Sequence, residues 1–316
     1  MRREGRALHG VGVVTLKEIA DHFSSILVVV IVVLVTATAI AVVTLGIGPI
    51  KESTAEDPYL LLRLFTRSTP LSLVVLLSFF VPLMAIGLGF DAVNGEHNRR
   101  TLSRILSQPI YRDALLFGKF LAGLFTLSIT LIVLWLLVIG LGLVGLGIPP
   151  SAEEIARALV FLIVTIAYAG VWFALALLAS IVFRSVATAV LVSLGLWLFL
   201  SILWPLFSPI VANTFMPATD VMGLLETNQA FARLSPSALF SEVAAVVLDP
   251  SLRSNQQSML ASMGLMMIER GAVPDAPIPL VQSVLIVWPQ IVGLIAGALL
   301  LFVGGYVVFQ RQEVRA

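Results

Sequence analysis

Six stretches of this sequence, 25–47, 70–90, 120–147, 158–183, 185–207 and 279–309, contain no Asp, Glu, Lys, Arg or His. A helix needs about 20 apolar residues to cross the hydrocarbon core of a bilayer. An ionisable side chain at mid-bilayer costs on the order of 2.5–3.5 kcal/mol on insertion scales, so each uncharged stretch reads as a membrane span. The apolar residues run continuously rather than alternately, which specifies helices and not barrel strands. Composition agrees: 59% of the residues are hydrophobic and 12% charged, against about 45–50% and about 25% in soluble domains. The expected fold is an all-α polytopic membrane protein with six transmembrane helices, residues 1–316 forming one transmembrane domain. The third stretch exceeds a straight crossing and is expected to tilt or to extend beyond the bilayer.

The absence of cysteine removes disulfides, thiolate metal sites and cysteine nucleophiles. A net charge of +1 offers no broad basic field to a nucleic acid. Before the first span lie 24 residues with several charges. Its apolar run also outlasts the roughly 7–15 residues of a signal peptide, so it reads as a retained anchor. Orientation follows from the basic residues. With the N-terminus inside, Arg2, Arg3, Arg6, Lys17, Arg99, Arg100, Arg104, Arg112, Lys119, Arg184, Arg311 and Arg315 are cytoplasmic. The short outer loops then hold only Lys51, Arg63, Arg67 and Arg157. That bias favours cytoplasmic N- and C-termini.

The polar segments carry the functional information. In residues 12–24, Leu16, Ile19, Ala20 and Phe23 fall on one helical face and Lys17, Glu18, Asp21 and His22 on the other. Two readings stand: an interfacial helix lying on the membrane before span one, or an extension of span one. Residues 91–119 form the one substantial cytoplasmic loop. Thr101 can cap a short helix with Leu102, Ile105 and Leu106 on one side and Arg104 on another. Pro109 stops it, and a second helix starts near Tyr111. An apolar ridge with basic flanks suits a groove on a cytoplasmic partner; an ordinary positive-inside loop touching lipid headgroups fits as well.

The residues Gly95-Glu96, Thr101-Leu102, Leu106-Ser107, Pro109, Arg112 and Gly118-Lys119 closely resemble the signature loop of type-2 ABC exporter permeases. This is the branch that includes multi-substrate exporters and the nitrous-oxide-reductase maturation permease. The six-span plan, the interfacial helix, the large segment between spans five and six and the ending Phe309-Gln310-Arg311-Gln312-Glu313-Val314 resemble that family too. Arg100 stands where the family often has Gly. The resemblance implies a permease subunit in a prokaryotic plasma membrane, forming half of a translocation pathway and lacking catalysis of its own. The loop would be a coupling helix seated on a separate ATP-binding subunit, with Leu102, Ile105 and Leu106 filling the groove. Glu96, Arg99, Arg104 and Arg112 would orient it through charge-assisted bonds. Partners would be two such ATPase subunits and a second copy of the chain or a homologous permease. ATP and Mg would bind in the partner, with no cofactor and no metal on this chain. The pathway, lined mainly by spans two and five in this family, points to Ser78, Phe79, Ser193, Trp197 and Ser201.

The remaining motifs are weighed against this. No G-x-x-x-x-G-K-[ST] phosphate loop is present. Gly140, Gly142 and Gly145 match G-x-G-x-x-G inside an apolar span, and with Gly147 they read as points of close helix approach or bending. Gly293 and Gly297 form a packing face, within the subunit or between copies. In the outer segment 208–278, Ser235-Pro236 starts a helix and Asp249-Pro250 stops it. A second helix is expected over 252–270, where Met259, Met263, Met266 and Met267 form a stripe. Methionine is an adaptable packing residue and also a Cu(I) ligand. The segment dips back into the membrane, forms an outer lid or makes a partner surface. The alternative to an ATP-driven exporter is an ion-gradient-driven secondary transporter. Proton coupling usually uses an intramembrane carboxylate or histidine, and the six spans have none; Pro82, Pro205 and Pro289 are candidate helix breaks. An intramembrane hydrolase lacks both G-x-S-x-G and an embedded base.

Overall fold

The computed structural model describes residues 7–53, 59–66, 72–98, 112–215, 221–249 and 278–312. Among them are six helices long and apolar enough to cross a membrane and no strand. In chain order the helices are α1 (Ala7–Ser24), α2 (Ile26–Ser53, span one), α3 (Leu60–Thr66), α4 (Leu73–Gly89, span two) and α5 (Asn94–Asn98). There follow α6 (Arg112–Leu146, span three), α7 (Ala152–Val182, span four), then α8 (Val186–Leu198) and α9 (Trp204–Phe215), which together make span five. The last three are α10 (Val221–Ala232), α11 (Pro236–Leu248) and α12 (Leu280–Arg311, span six). All six expected spans are present.

Span three runs for 35 residues, about 52 Å at 1.5 Å per residue, and so outreaches the bilayer core as its length required. It stops at Gly147, whose φ of 72° is a left-handed conformation that glycine adopts without strain. Two of the three glycines before it permit close approach: a Cβ on Gly142 would meet Leu64 at 2.7 Å, and one on Gly145 would meet Ile47 at 2.2 Å. At Gly140 nothing lies within 4 Å, so close packing does not explain that residue. Gly293 and Gly297 face Leu239 and Val171 of the same chain.

Span four is the hub of the bundle. Seventy-two per cent of its apolar window is buried, against 17% for span five. Small residues make this packing close: a Cβ on Gly89 of span two would lie 2.8 Å from Ala176 of span four. Ser151 and Glu154 close a capping box at its start, which begins the helix at Ala152 and draws Glu153, Glu154 and Arg157 into its first turns.

Pro82 and Pro289 sit inside continuous helices, so neither breaks its span. Pro205 acts differently. Lacking an N–H, it cannot bond the carbonyl four residues back. The chain answers with a π-turn over Phe199–Leu203, in which Trp204 N–H reaches Phe199 O.

The segment after span five returns into the bundle. Helices α10 and α11 meet at a bend of 113°, around the turn 233–235. Helix α11 runs from Pro236 to Leu248 with Ser235 and Asp249 as its caps, the boundaries expected from sequence. It packs against spans two, four and six. The bent pair α10 and α11 has the form of a broken span or a re-entrant loop. The helix expected over 252–270, with its methionine stripe, lies outside the described residues, as do Arg99, Thr101, Leu102, Arg104, Ile105, Leu106 and Pro109. Arg112 opens α6, but its side chain is also outside them.

Candidate functional site

The root of the loop between spans two and three is built around buried charge. Helix α1 lies against span three, with Gly118 at the contact. A Cβ there would come within 2.7 Å of Val14 Cβ and 3.2 Å of Val11 O, so only glycine lets the two backbones approach this closely. The next residue, Lys119, is almost wholly buried, and its Nζ stands 2.8 Å from Glu96 Oε1 and 3.0 Å from Glu18 Oε1. Lys17 Nζ adds contacts to Glu18 at 2.8 Å, Asp21 at 2.9 Å and Glu96 at 3.7 Å. Three elements are thereby joined: α1, the segment that leaves span two, and the segment that enters span three. Span four anchors the first root as well. Ser180 Oγ accepts from the N–H groups of Val93 and Asn94, and Asn94 Nδ2 donates to Phe183 O.

This arrangement rotates α1 relative to its expected amphipathic faces. Leu16 is 70% exposed and Phe23 also faces outward, while Glu18 is buried. The apolar stripe meets the surroundings, as an interfacial helix requires, but half of the polar face meets protein. The physical reason is Lys119: an ammonium enclosed by apolar helices needs carboxylates, and Glu18 and Glu96 supply them. Burial opposes charge on Glu18, yet Lys119 and Lys17 outweigh it and hold its carboxyl below the ordinary range. Burial also opposes charge on Lys17, and its bonds to Glu18 and Asp21 hold its pKa above the ordinary lysine value. His22 is held below its ordinary value, chiefly by burial. Its Nδ1 lies 3.1 Å from Thr126 Oγ1. That hydroxyl gives its proton to Ala122 O, so it must accept from Nδ1–H.

The residues singled out on spans two and five do come together. Phe79 stands edge-on to Trp197, with ring centroids 4.9 Å apart. Ser193 and Trp197 are buried within the chain, at 0% and 5% exposure; their surfaces are occupied by span-to-span contact. Phe79 is exposed. Ser78 O accepts from Tyr168 Oη of span four at 2.9 Å, and Tyr168 Oη lies 3.1 Å from Ser237 Oγ. Ser237 in turn bonds Ser201. Tyr168 lies near the centre of span four, about 24 Å from Ala152 and about 21 Å from Val182. The start of α11 is therefore level with the middle of span four.

Two ionisable residues travel with it, which amends the sequence reading. The six uncharged stretches hold no such group, but the returning hairpin brings Arg233 and Glu242 against span six. Arg233 Nε is 3.0 Å from Glu242 Oε2, and Gln290 Nε2 of span six donates to the same oxygen at 2.9 Å. Gln290 lies ten residues, about 15 Å, inside its helix. No periodicity marked this pair, because α10 and α11 are short and their depth depends on the bend.

At the opposite end of the bundle from α1, Arg157 is fully buried. Its guanidinium donates to Glu153 Oε1 at 2.8 Å, Val247 O at 3.1 Å, Ser283 Oγ at 3.2 Å, and Ile278 O. One side chain thus ties spans four and six to the end of α11. Arg157 is therefore an interior clamp and not the outer-loop residue that the charge pattern suggests. Among the described residues no three His, Asp or Glu side chains gather in a way that holds a metal ion.

Comparison with known proteins bears on this architecture directly. Residues 13–314 match the sequence model of the family described as ABC-2 family transporter protein. Over 54 residues the chain is 44% identical to the probable ABC transporter permease protein NosY of Pseudomonas aeruginosa. That match covers 17% of this chain and 20% of the relative, so it spans about a fifth of the relative's length.

Proposed function

The chain belongs to the ABC-2 transporter family, and from that premise we propose that it forms half of an ATP-driven exporter in a prokaryotic plasma membrane. Both termini are cytoplasmic, and loop 91–119 faces a separate ATP-binding subunit. Leu102, Ile105 and Leu106 enter a groove on that subunit, with Arg99, Arg104 and Arg112 at the rim. ATP and Mg bind there and not to this chain. Two such subunits serve a pair of permeases, either two copies of this chain or this chain and a homologue. The pathway runs between the paired membrane halves, beside the exposed faces of spans two and five, where Phe79 and the Ser78–Ser201 region lie.

One observation supports this reading above the others: the loop has a rigid mount. Glu96 and Lys119, the two signature residues at its roots, meet at 2.8 Å in a buried cluster with Glu18. A push on the loop then moves spans two and three and α1 as one body, instead of being absorbed by a flexible tether. The pair also explains why Glu96 faces inward: it stiffens the mount, and the groove contacts fall to the residues beyond it.

A charge at the centre of the apolar ridge tests the proposal. Leu102→Asp is expected to leave insertion and folding intact while the ATP-binding subunit no longer co-purifies, because an unpaired carboxylate would enter an apolar groove. Unchanged complex formation together with unchanged transport would remove the loop from the coupling route.

A further inference from the structure

Arg233, set among the apolar spans, is a cation that the coupling route does not use. It stands in the turn between α10 and α11, close to the level of Tyr168 at mid-span. A cation at such depth is costly and marks a functional position unless it is fully compensated. Compensation here is one-sided. Glu242 Oε1 and Oε2 lie 3.4 and 3.0 Å from Nε. Among the described residues no acceptor meets the two terminal amino groups of the guanidinium. The side chain remains 38% exposed.

The guanidinium is also fixed in place. Gln290 holds Glu242 from span six, and Trp204 Nε1 donates to Phe231 O at 2.7 Å, which pins the turn to the start of α9. An immobilised guanidinium edge with two unused donors matches the fork geometry of a carboxylate or phosphate. The neighbouring elements are apolar: Leu234, next to Arg233 in the chain, and Leu203, Leu206, Phe207 and Ile210 of span five, whose Trp204 meets Phe231, are all exposed. An anion small enough to meet the fork, attached to a hydrocarbon tail that can lie along span five, satisfies both features.

The geometry points to Arg233 as a headgroup-recognition site for an anionic amphiphile, a proposal that rests on the chain being an exporter permease. Glu242 plays the opposing part. It compensates the guanidinium when the site is empty and weakens the hold on an incoming anion, which favours release.

Direct binding tests this. The permease is purified with its ATP-binding subunit in phosphatidylcholine nanodiscs, and saturable binding of radiolabelled oleate is measured. Oleyl alcohol and dioleoylphosphatidylglycerol serve as competitors. Oleate is expected to bind saturably and oleyl alcohol to compete poorly. Arg233→Gln should weaken binding by about tenfold or more, and Arg233→Lys by less. Glu242→Gln should tighten it, which a merely structural ion pair would not do. Competition by the phosphatidylglycerol would identify the source as a membrane lipid, and its absence a single-chain cargo; either is the proposed chemistry. Equal oleate binding by wild type and Arg233→Gln, in samples with matching size-exclusion profiles, would overturn the site. So would equal competition by oleyl alcohol, or an Arg233→Cys disulfide between two copies, which would make this face a subunit contact. If no ATP-binding subunit co-purifies, the exporter reading fails first, and the same arms run on the chain alone still decide the Arg233 site.

Discussion

Lys119 shows how a single buried charge organises its surroundings. Its side chain is 3% exposed, and a buried cation without partners would lose far more in desolvation than local packing returns. Glu18 and Glu96 remove that penalty, and in doing so fix α1 and the loop root. Lys119→Met should therefore destabilise by about 3–5 kcal/mol, because two enclosed carboxylates lose their counter-charge. Thermal unfolding of detergent-purified protein measures this. The double variant Glu18→Gln with Lys119→Met should recover part of the loss, and strict additivity of the two changes would deny the pairing. Glu96 and Lys119 were legible as motif positions, but their contact was not. They are 23 residues apart, and their third member, Glu18, is a hundred residues away. Glu18 carried only a helical-face signal, and that signal assigned it to solvent.

Elements are held by what their ends can bond. Helix α1 is docked through Glu18 and neutral His22. Both have folded-state pKa values below their ordinary ones, so the docked helix binds fewer protons than the free helix and docking strengthens with rising pH. Glu18's contribution is present above the ordinary glutamate range and is lost as pH falls through its lowered value. His22's contribution is present above its ordinary 6.5 and is lost as pH falls below that. Amide exchange in α1 should accelerate between about pH 7.5 and about pH 5.5, once corrected for intrinsic rates, and His22→Gln should flatten that response. An unchanged profile in the variant would exclude the imidazole. At the other end, Arg157 satisfies acceptors on α7, α11 and α12 and on Ile278, two residues before α12. Arg157→Met leaves them without a donor and should lower stability by about 3–5 kcal/mol. An unchanged melting temperature would show that the clamp contributes nothing. Span positions were readable because hydropathy acts over 20 residues. The π-turn at Phe199–Leu203 was not, since Pro205 signals a lost hydrogen bond but not how the helix re-forms around it. The depth of α10 and α11 was unreadable for a related reason: it depends on a 113° bend and on partners in spans two, four and six.

The whole molecule has a rigid half and an open half. Spans two and four are mostly interior, whereas span five exposes most of its apolar surface. That contrast is what the proposed pairing of two permeases through span five requires. It was only partly legible: hydropathy counts spans, yet it assigns span four and span five similar apolarity and cannot tell hub from rim. The hub shows in close contacts such as Gly89 against Ala176, which hydropathy does not weigh. Glu242 on α11 is a carboxylate of the kind an ion-driven carrier would use. It is paired with Arg233 and Gln290, however, and the loop mount has no role in such a carrier.

Because the chain has no cysteine, Arg104→Cys introduces one thiol at the centre of the proposed ATPase contact. In sealed membranes of both orientations, we predict that a membrane-impermeant maleimide reaches it only from the cytoplasmic side, and that the bound ATP-binding subunit shields it. Labelling from the exterior, or labelling indifferent to that subunit, would contradict the account at its centre.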